Sequence, residues 1–205
     1  MVALGGDAQC PGMRTLFFML VAALALPAAA ADVASPHAFT FYGGRISSEE
    51  TWHDVLVKPY SRNYANSYLA AAAYSYAYRE SYEGALRTEF EVNATYNFGA
   101  QDHWELNVVP ITLRWQRFPW SDVMHTTAAF GLGLSYALEF PRVEYELEND
   151  TQRLLLYWLL EITAGPSDGP WSAVLRLHHR SPGWGVMGVG DGGMNAPSLG
   201  FRYQF

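Results

Sequence analysis

Residues 86–98 read Leu86-Arg-Thr-Glu-Phe-Glu-Val-Asn-Ala-Thr-Tyr-Asn-Phe98. The even positions (Leu86, Thr88, Phe90, Val92, Ala94, Tyr96, Phe98) form one face. The odd positions carry Arg87, Glu89, Glu91, Asn93, Thr95 and Asn97. Side chains alternate across a strand, so this stretch is a strand with one apolar and one charged face. It is about twice the length of an ordinary globular strand. An apolar-out, polar-in strand of this length is the pattern of a transmembrane barrel.

The same period of two recurs along the chain. It predicts strands at about 38–45, 64–79, 84–98, 103–118, 125–140, 151–164, 171–181 and 196–205. Tyr64, Tyr68, Tyr74, Tyr76 and Tyr78 share a face of the second. Phe130, Leu132, Leu134, Tyr136 and Leu138 share a face of the fifth, opposite Gly131, Gly133 and Ser135. The fourth changes phase: Trp104, Leu106 and Val108 are even, Ile111, Leu113 and Trp115 odd. A bulge at Pro110 would re-phase it and accommodate a residue with no N–H. The sixth contains Leu154-Leu-Leu-Tyr-Trp-Leu-Leu160, apolar on both faces, and its phase is unreadable. Eight is an even count, as a closed antiparallel barrel of this kind requires. The expected fold is all-β, an eight-stranded antiparallel transmembrane barrel over 32–205.

Composition agrees. Of 205 residues, 50% are hydrophobic and 15% aromatic, against 16% charged and a single lysine, Lys58. Soluble domains carry about a quarter charged residues, and disordered chains few aromatics. A net charge of −7 gives no basic footprint for nucleic acid. Arg14, the apolar run Leu16–Leu26 and Ala28–Ala31 are the parts of a secretory signal, with Met13 the expected start and cleavage after Ala30 or Ala31. Residues 1–31 are therefore read as upstream residues plus this signal. Its removal takes Cys10, the only cysteine, so the exported chain has no disulfide.

The phases put Arg79, Arg87, Glu89, Glu91, Glu105, Arg114, Glu139, Arg176 and Arg202 inward. Eight strands enclose only a side-chain-filled interior, so these charges are expected to pair and fix register rather than line a pore. In 46–63, Ser47 and Glu50 have capping-box spacing before Trp52, Val55 and Leu56, which predicts a short helix, a lid or interfacial turn. Residues 183–193 (GWGVMGVGDGG) lack the context of a nucleotide loop and read as an outer loop.

One place breaks the pattern. In Trp171-Ser-Ala-Val-Leu-Arg-Leu-His-His-Arg-Ser181, Arg176, His178 and Arg180 point inward, while Leu175, Leu177, His179 and Ser181 share the lipid-facing parity. Residues i and i+2 lie on one face about 6.5–7 Å apart, so an imidazole can reach a hydroxyl: a base beside a nucleophile. No HExxH or Cys/His/Asp cluster competes, and His37, His53, His103 and His125 stand alone. No cofactor is expected.

The signal, eight strands, the Leu177-His-His-Arg-Ser181 motif and a Gly-rich loop before the last strand together resemble the lipid A 3-O-deacylase (PagL) family, acyloxyacyl hydrolase-like outer-membrane barrels. In architecture the resemblance covers the whole exported chain; its specific motif is confined to strands seven and eight. It implies a serine-esterase triad with Ser181 as nucleophile and His179 as general base. The substrate it implies is the 3-O-acyl ester of lipid A, attacked from the barrel's outer wall. It also implies a third residue at position 195, where the family has an acid and this chain has Asn195. Asp191 is a possible substitute acid. The residue after the serine, an oxyanion-hole Asn in the family, is here Pro182, leaving Gly183 N–H to serve.

The chain ends Leu199-Gly-Phe-Arg-Tyr-Gln-Phe205, which resembles the C-terminal signature of outer-membrane barrels. The expected location is a Gram-negative outer membrane. The expected partners are the bilayer, lipid A or lipopolysaccharide and, through Phe205, the barrel-assembly machinery. Two functions from different classes follow: an esterase weakened at Asn195 and Pro182, or a non-catalytic barrel that binds lipopolysaccharide or stabilises the envelope.

Overall fold

In the computed structural model, residues 35–48, 52–57, 63–190 and 192–205 are described. The signal-peptide reading of 1–31, Glu50 and Asp191 lie outside them. Eight strands follow in order: β1 (His37–Ser47), β2 (Tyr64–Ser81), β3 (Leu86–Gly99), β4 (His103–Trp115), β5 (Met124–Ala137), β6 (Leu154–Pro166), β7 (Trp171–Ser181) and β8 (Met194–Gln204). Each pairs antiparallel with its neighbour, and β8 returns to β1 to close the barrel. Backbone bonds between His37 and Phe205 in both directions tie the start of β1 to the residue after β8. No helix among the described residues is long and apolar enough to cross a membrane; strands of 11 to 18 residues are long enough to do so.

The alternation of β3 is realised along its length, with Arg87, Glu89, Glu91, Asn93, Thr95 and Asn97 buried. On the outside, Phe41, Leu106, Leu113, Phe130, Leu175 and Phe201 are exposed. A continuous apolar wall of this kind marks a lipid-facing surface. At the end with short turns, His37, Phe39 and Tyr203 each stack on Phe205, and Trp171 packs on Tyr203, as an aromatic girdle does.

β4 shifts register between Val108 and Ile111, the expected bulge at Pro110. A second bulge, between Ala77 and Arg79, was not legible. It sets Glu80 against Arg87 and turns Arg79 to an exposed position, so Arg79 is not an interior charge. Glu139 is not one either. β5 stops at Ala137, before Pro141, and Glu139 is exposed in the connection that follows.

That connection holds a helix the sequence reading lacked, while the one it expected in 46–63 is α1 (Trp52–Val57). The added helix is α2 (Arg142–Glu148). Ser47 does not cap α1: it is the last residue of β1, five residues before the helix. α2 lies across the mouth at the long-loop end. Its Val143 joins Tyr42, Ile46, Leu69, Met194 and Ala196 in a buried cluster, and Glu144 meets Arg180 at 2.6 Å. Burial pushes the Glu144 carboxyl above its usual range, with Arg180 pulling the other way.

Below α2 the interior is ionic and filled. Arg176 donates to both oxygens of Glu91 at 2.8 and 2.9 Å and through Nε to Glu161 at 2.7 Å. Arg114 bridges Glu89 and Glu161 at 3.0 and 2.7 Å, and Arg202 adds a bond to Glu89 at 2.8 Å. Toward the mouth, His178 sits 2.9 Å from Glu105. β6 supplies Glu161 from a strand whose phase its sequence concealed.

Candidate active site

Register, rather than any one strand, assembles the site. Across four strands Trp158 of β6 lies opposite His179 of β7, His179 opposite Asn195 of β8, and Asn195 opposite Ser47 of β1. Directly opposed residues have Cβ atoms about 4.5–5.5 Å apart, so these four form a lateral row of contacts. The row lies near the long-loop end and has the outward parity of Leu175 and Leu199.

His179 Nδ1 donates to Asn195 Oδ1 at 2.7 Å. A carbonyl oxygen only accepts, so this bond fixes the tautomer and leaves Nε2 with its lone pair free to take a proton. The opposite ring face lies against Trp158, with centroids 4.2 Å apart. The imidazole is therefore held by a hydrogen bond on one neighbouring strand and by an indole on the other. Ser181, half-buried, lies two residues along the same face.

Ser181 and His179 are not hydrogen-bonded to each other. Ser181 Oγ accepts the backbone N–H of Gly183 at 3.0 Å. Pro182 has no N–H, so the next amide, on a residue with φ +61°, turns back onto the hydroxyl. The Gly183 amide expected at the oxyanion is thus bonded to the Ser181 hydroxyl instead. A cavity of about 230 Å³ adjoins this group. Its walls include His179, Ser181 and Asn195, with Ser47 from β1, Glu148 from α2 and the fully exposed Trp184. Gly193, just before β8, has φ +102°, and an added Cβ there would lie 2.1 Å from Arg180 O, so only glycine lets the loop rejoin the barrel beside the site.

The sequence reading named His179, Ser181 and Asn195, and the structure gathers all three at one cavity. It missed Trp158, Ser47 and the contact of Trp52 with Trp158. Outward polar residues are visible in a sequence as breaks in parity; cross-strand neighbours are not, because they depend on register.

The fold and its walls define a class, the eight-stranded outer-membrane barrel. Solved structures that share it with this chain include the following. The outer membrane enzyme PagL superposes with a TM-score of 0.60 at 14% identity, over 82% of this chain and 99% of that one. Neisserial surface protein A superposes with a TM-score of 0.51 at 10% identity, over 84% and 98%. At such identities the likeness is one of fold. Sequence comparison finds no matching family model and no matching curated protein.

Proposed function

We propose that this protein is an outer-membrane serine ester hydrolase that removes an acyl chain from lipid A in the outer leaflet, the 3-O-linked ester being the expected bond. The observation that supports it is the His179–Asn195 bond of 2.7 Å, which leaves Nε2 as the acceptor nitrogen of a ring that lines one cavity with Ser181. In this reading the long-loop end faces the outside of the cell, as in barrels of this class. A rotation about χ1 moves Ser181 Oγ from the Gly183 amide toward Nε2. Nε2 takes the hydroxyl proton as Oγ attacks the ester carbonyl, and Gly183 N–H is then free to donate to the oxyanion. The tetrahedral intermediate expels the sugar alkoxide, which takes the proton from the imidazolium. Water, deprotonated by the same Nε2, then releases the fatty acid and regenerates Ser181.

Asn195 orients the ring but carries no charge to stabilise the imidazolium; an Asp-to-Asn change in a serine triad costs about 10⁴ in turnover, chiefly through the wrong imidazole tautomer, which the Oδ1 bond avoids here, so the loss is smaller. The reading is therefore of a slow enzyme. A second reading has its own observation: with Ser181 bonded to Gly183, the resting site is not poised for attack. On that reading the barrel binds lipopolysaccharide or stabilises the envelope without hydrolysis. Mass spectrometry of lipid A from cells carrying the wild type, Ser181→Ala or no gene decides between them. Loss of one 3-hydroxyacyl chain only with the wild type supports the esterase. Identical lipid A in all three strains, with envelope sensitivity changed only in the deletion, supports the binding barrel.

A further inference from the structure

His179 has the parity of the lipid-facing wall, yet it is only 9% exposed, whereas Leu175 on the same face of β7 is 52% exposed. Its cover is identifiable. Trp158 lies over the imidazole, and Trp52 of α1 stands edge-on to Trp158, at 5.8 Å and 88° between ring planes. α1 belongs to the connection between β1 and β2, yet it touches β8 and its Trp52 reaches β6. In a closed barrel of order β6-β7-β8-β1, the helix sits against β8 and its Trp52 side chain extends past it to the Trp158 ring of β6. It thus lies over the part of the wall where His179 and Asn195 stand. The cavity beside Ser181, by contrast, is walled by elements of the long-loop end: Glu148, Trp184 and the start of β8. The site is open at the rim and closed toward the bilayer.

We infer that α1 is a latch, closing the bilayer side of the site through Trp52 on Trp158, and that a lipid substrate lifts it by laying an acyl chain against Trp158. This rests on the esterase reading for its catalytic consequence but not for the latch itself. A small soluble ester reaches Ser181 from the rim with the latch closed. An ester whose chain lies in the leaflet competes with Trp52 for the Trp158 face. The latch therefore acts on lipid esters and not on soluble ones, which makes Trp52 a specificity-determining residue.

The test uses the exported chain in vesicles of phosphatidylethanolamine and phosphatidylglycerol containing lipid A. Fatty acid release is measured beside hydrolysis of p-nitrophenyl butyrate. Trp52→Ala should raise release from lipid A about two- to tenfold, the population factor carried by one aromatic pair, and leave butyrate hydrolysis unchanged. Trp52→Phe, which keeps an edge contact, should fall between and guards against a folding defect in the alanine variant. A readout independent of hydrolysis is labelling by a phospholipid with a diazirine in its acyl chain. Trp52→Ala should increase label on the peptides bearing Trp158 and His179. Unchanged labelling together with an unchanged ratio of lipid to soluble turnover overturns the latch. Increased labelling with neither ester hydrolysed by any variant supports the latch and overturns the esterase reading instead.

Discussion

At Asn195 a single atom decides what the site can do. Oδ1 holds His179 Nδ1 at 2.7 Å, so orientation is already supplied and only charge is missing. Asn195→Glu should keep the bond and add that charge, raising turnover of the lipid ester, though by less than the roughly 10⁴ that a wrong tautomer costs a serine triad. The gain is smaller if the oxyanion also lacks a donor, since one such donor is worth about 10²–10³. Pro182→Asn would restore an amide after the nucleophile, and the double variant compared with each single one separates the two deficits. Ser181→Ala should abolish release in every background without altering folding. Activity that survives it would place the nucleophile elsewhere. His179 and Ser181 were legible in the sequence as polar side chains at an outward parity among Leu neighbours, and Asn195 through the family resemblance, its parity only agreeing. Ser47 and Trp158 were not, because a Trp on a lipid face and a Ser near a strand end break no rule.

Among the strands, legibility followed how far the two faces differ. β3, with a charged and an apolar face, could be read residue by residue, and β5 nearly so. β6 could not. Its Trp158 and Leu160 point outward, while its inward Tyr157 and Leu159 pack against Val109 in a small apolar cluster inside the barrel. Apolar side chains on both faces erase the period. Bulges divided in the same way: Pro110 announces one because a proline needs an unpaired site, whereas nothing announces the shifts at Tyr78-Arg-Glu80 or between Arg45 and Ser47. α2 carried a signal that went unused, Pro141 followed by a seven-residue stretch with Glu144 in its first turn. Phe90→Arg tests the outward face of β3: the cost in bilayers should be about 2–4 kcal/mol, measured by urea titration of folded protein in vesicles. Phe90→Leu should change little. Equal effects of the two would mean that this face does not meet lipid.

Taken whole, the barrel exchanges the usual arrangement, an apolar interior within a polar surface, for its inverse, and that raises the question of what holds it together. Lipid provides no drive to bury the outward Leu and Phe against protein, so the interior must close through directional bonds. Arg176 is central to them. It is buried and joins Glu91 of β3 to Glu161 of β6, strands on opposite sides of the closed sheet. Its guanidinium also lies over the Tyr42 ring at 4.7 Å. Arg176→Met keeps the volume and removes the charge, leaving Glu91 with only Ser75 Oγ at 3.2 Å and Glu161 with Arg114. An uncompensated buried carboxylate is expected to destabilise by about 3–5 kcal/mol. If charge balance rather than packing is the cause, Glu91→Gln in the same chain should recover a large part of that loss, although Glu91→Gln alone destabilises. The measurement is the urea midpoint of the shift between the folded, fast-migrating form and the unfolded form on unheated gels. Additive effects of the two substitutions would show that the Arg and Glu act separately, and the network would then be a set of independent polar contacts rather than the brace across the barrel.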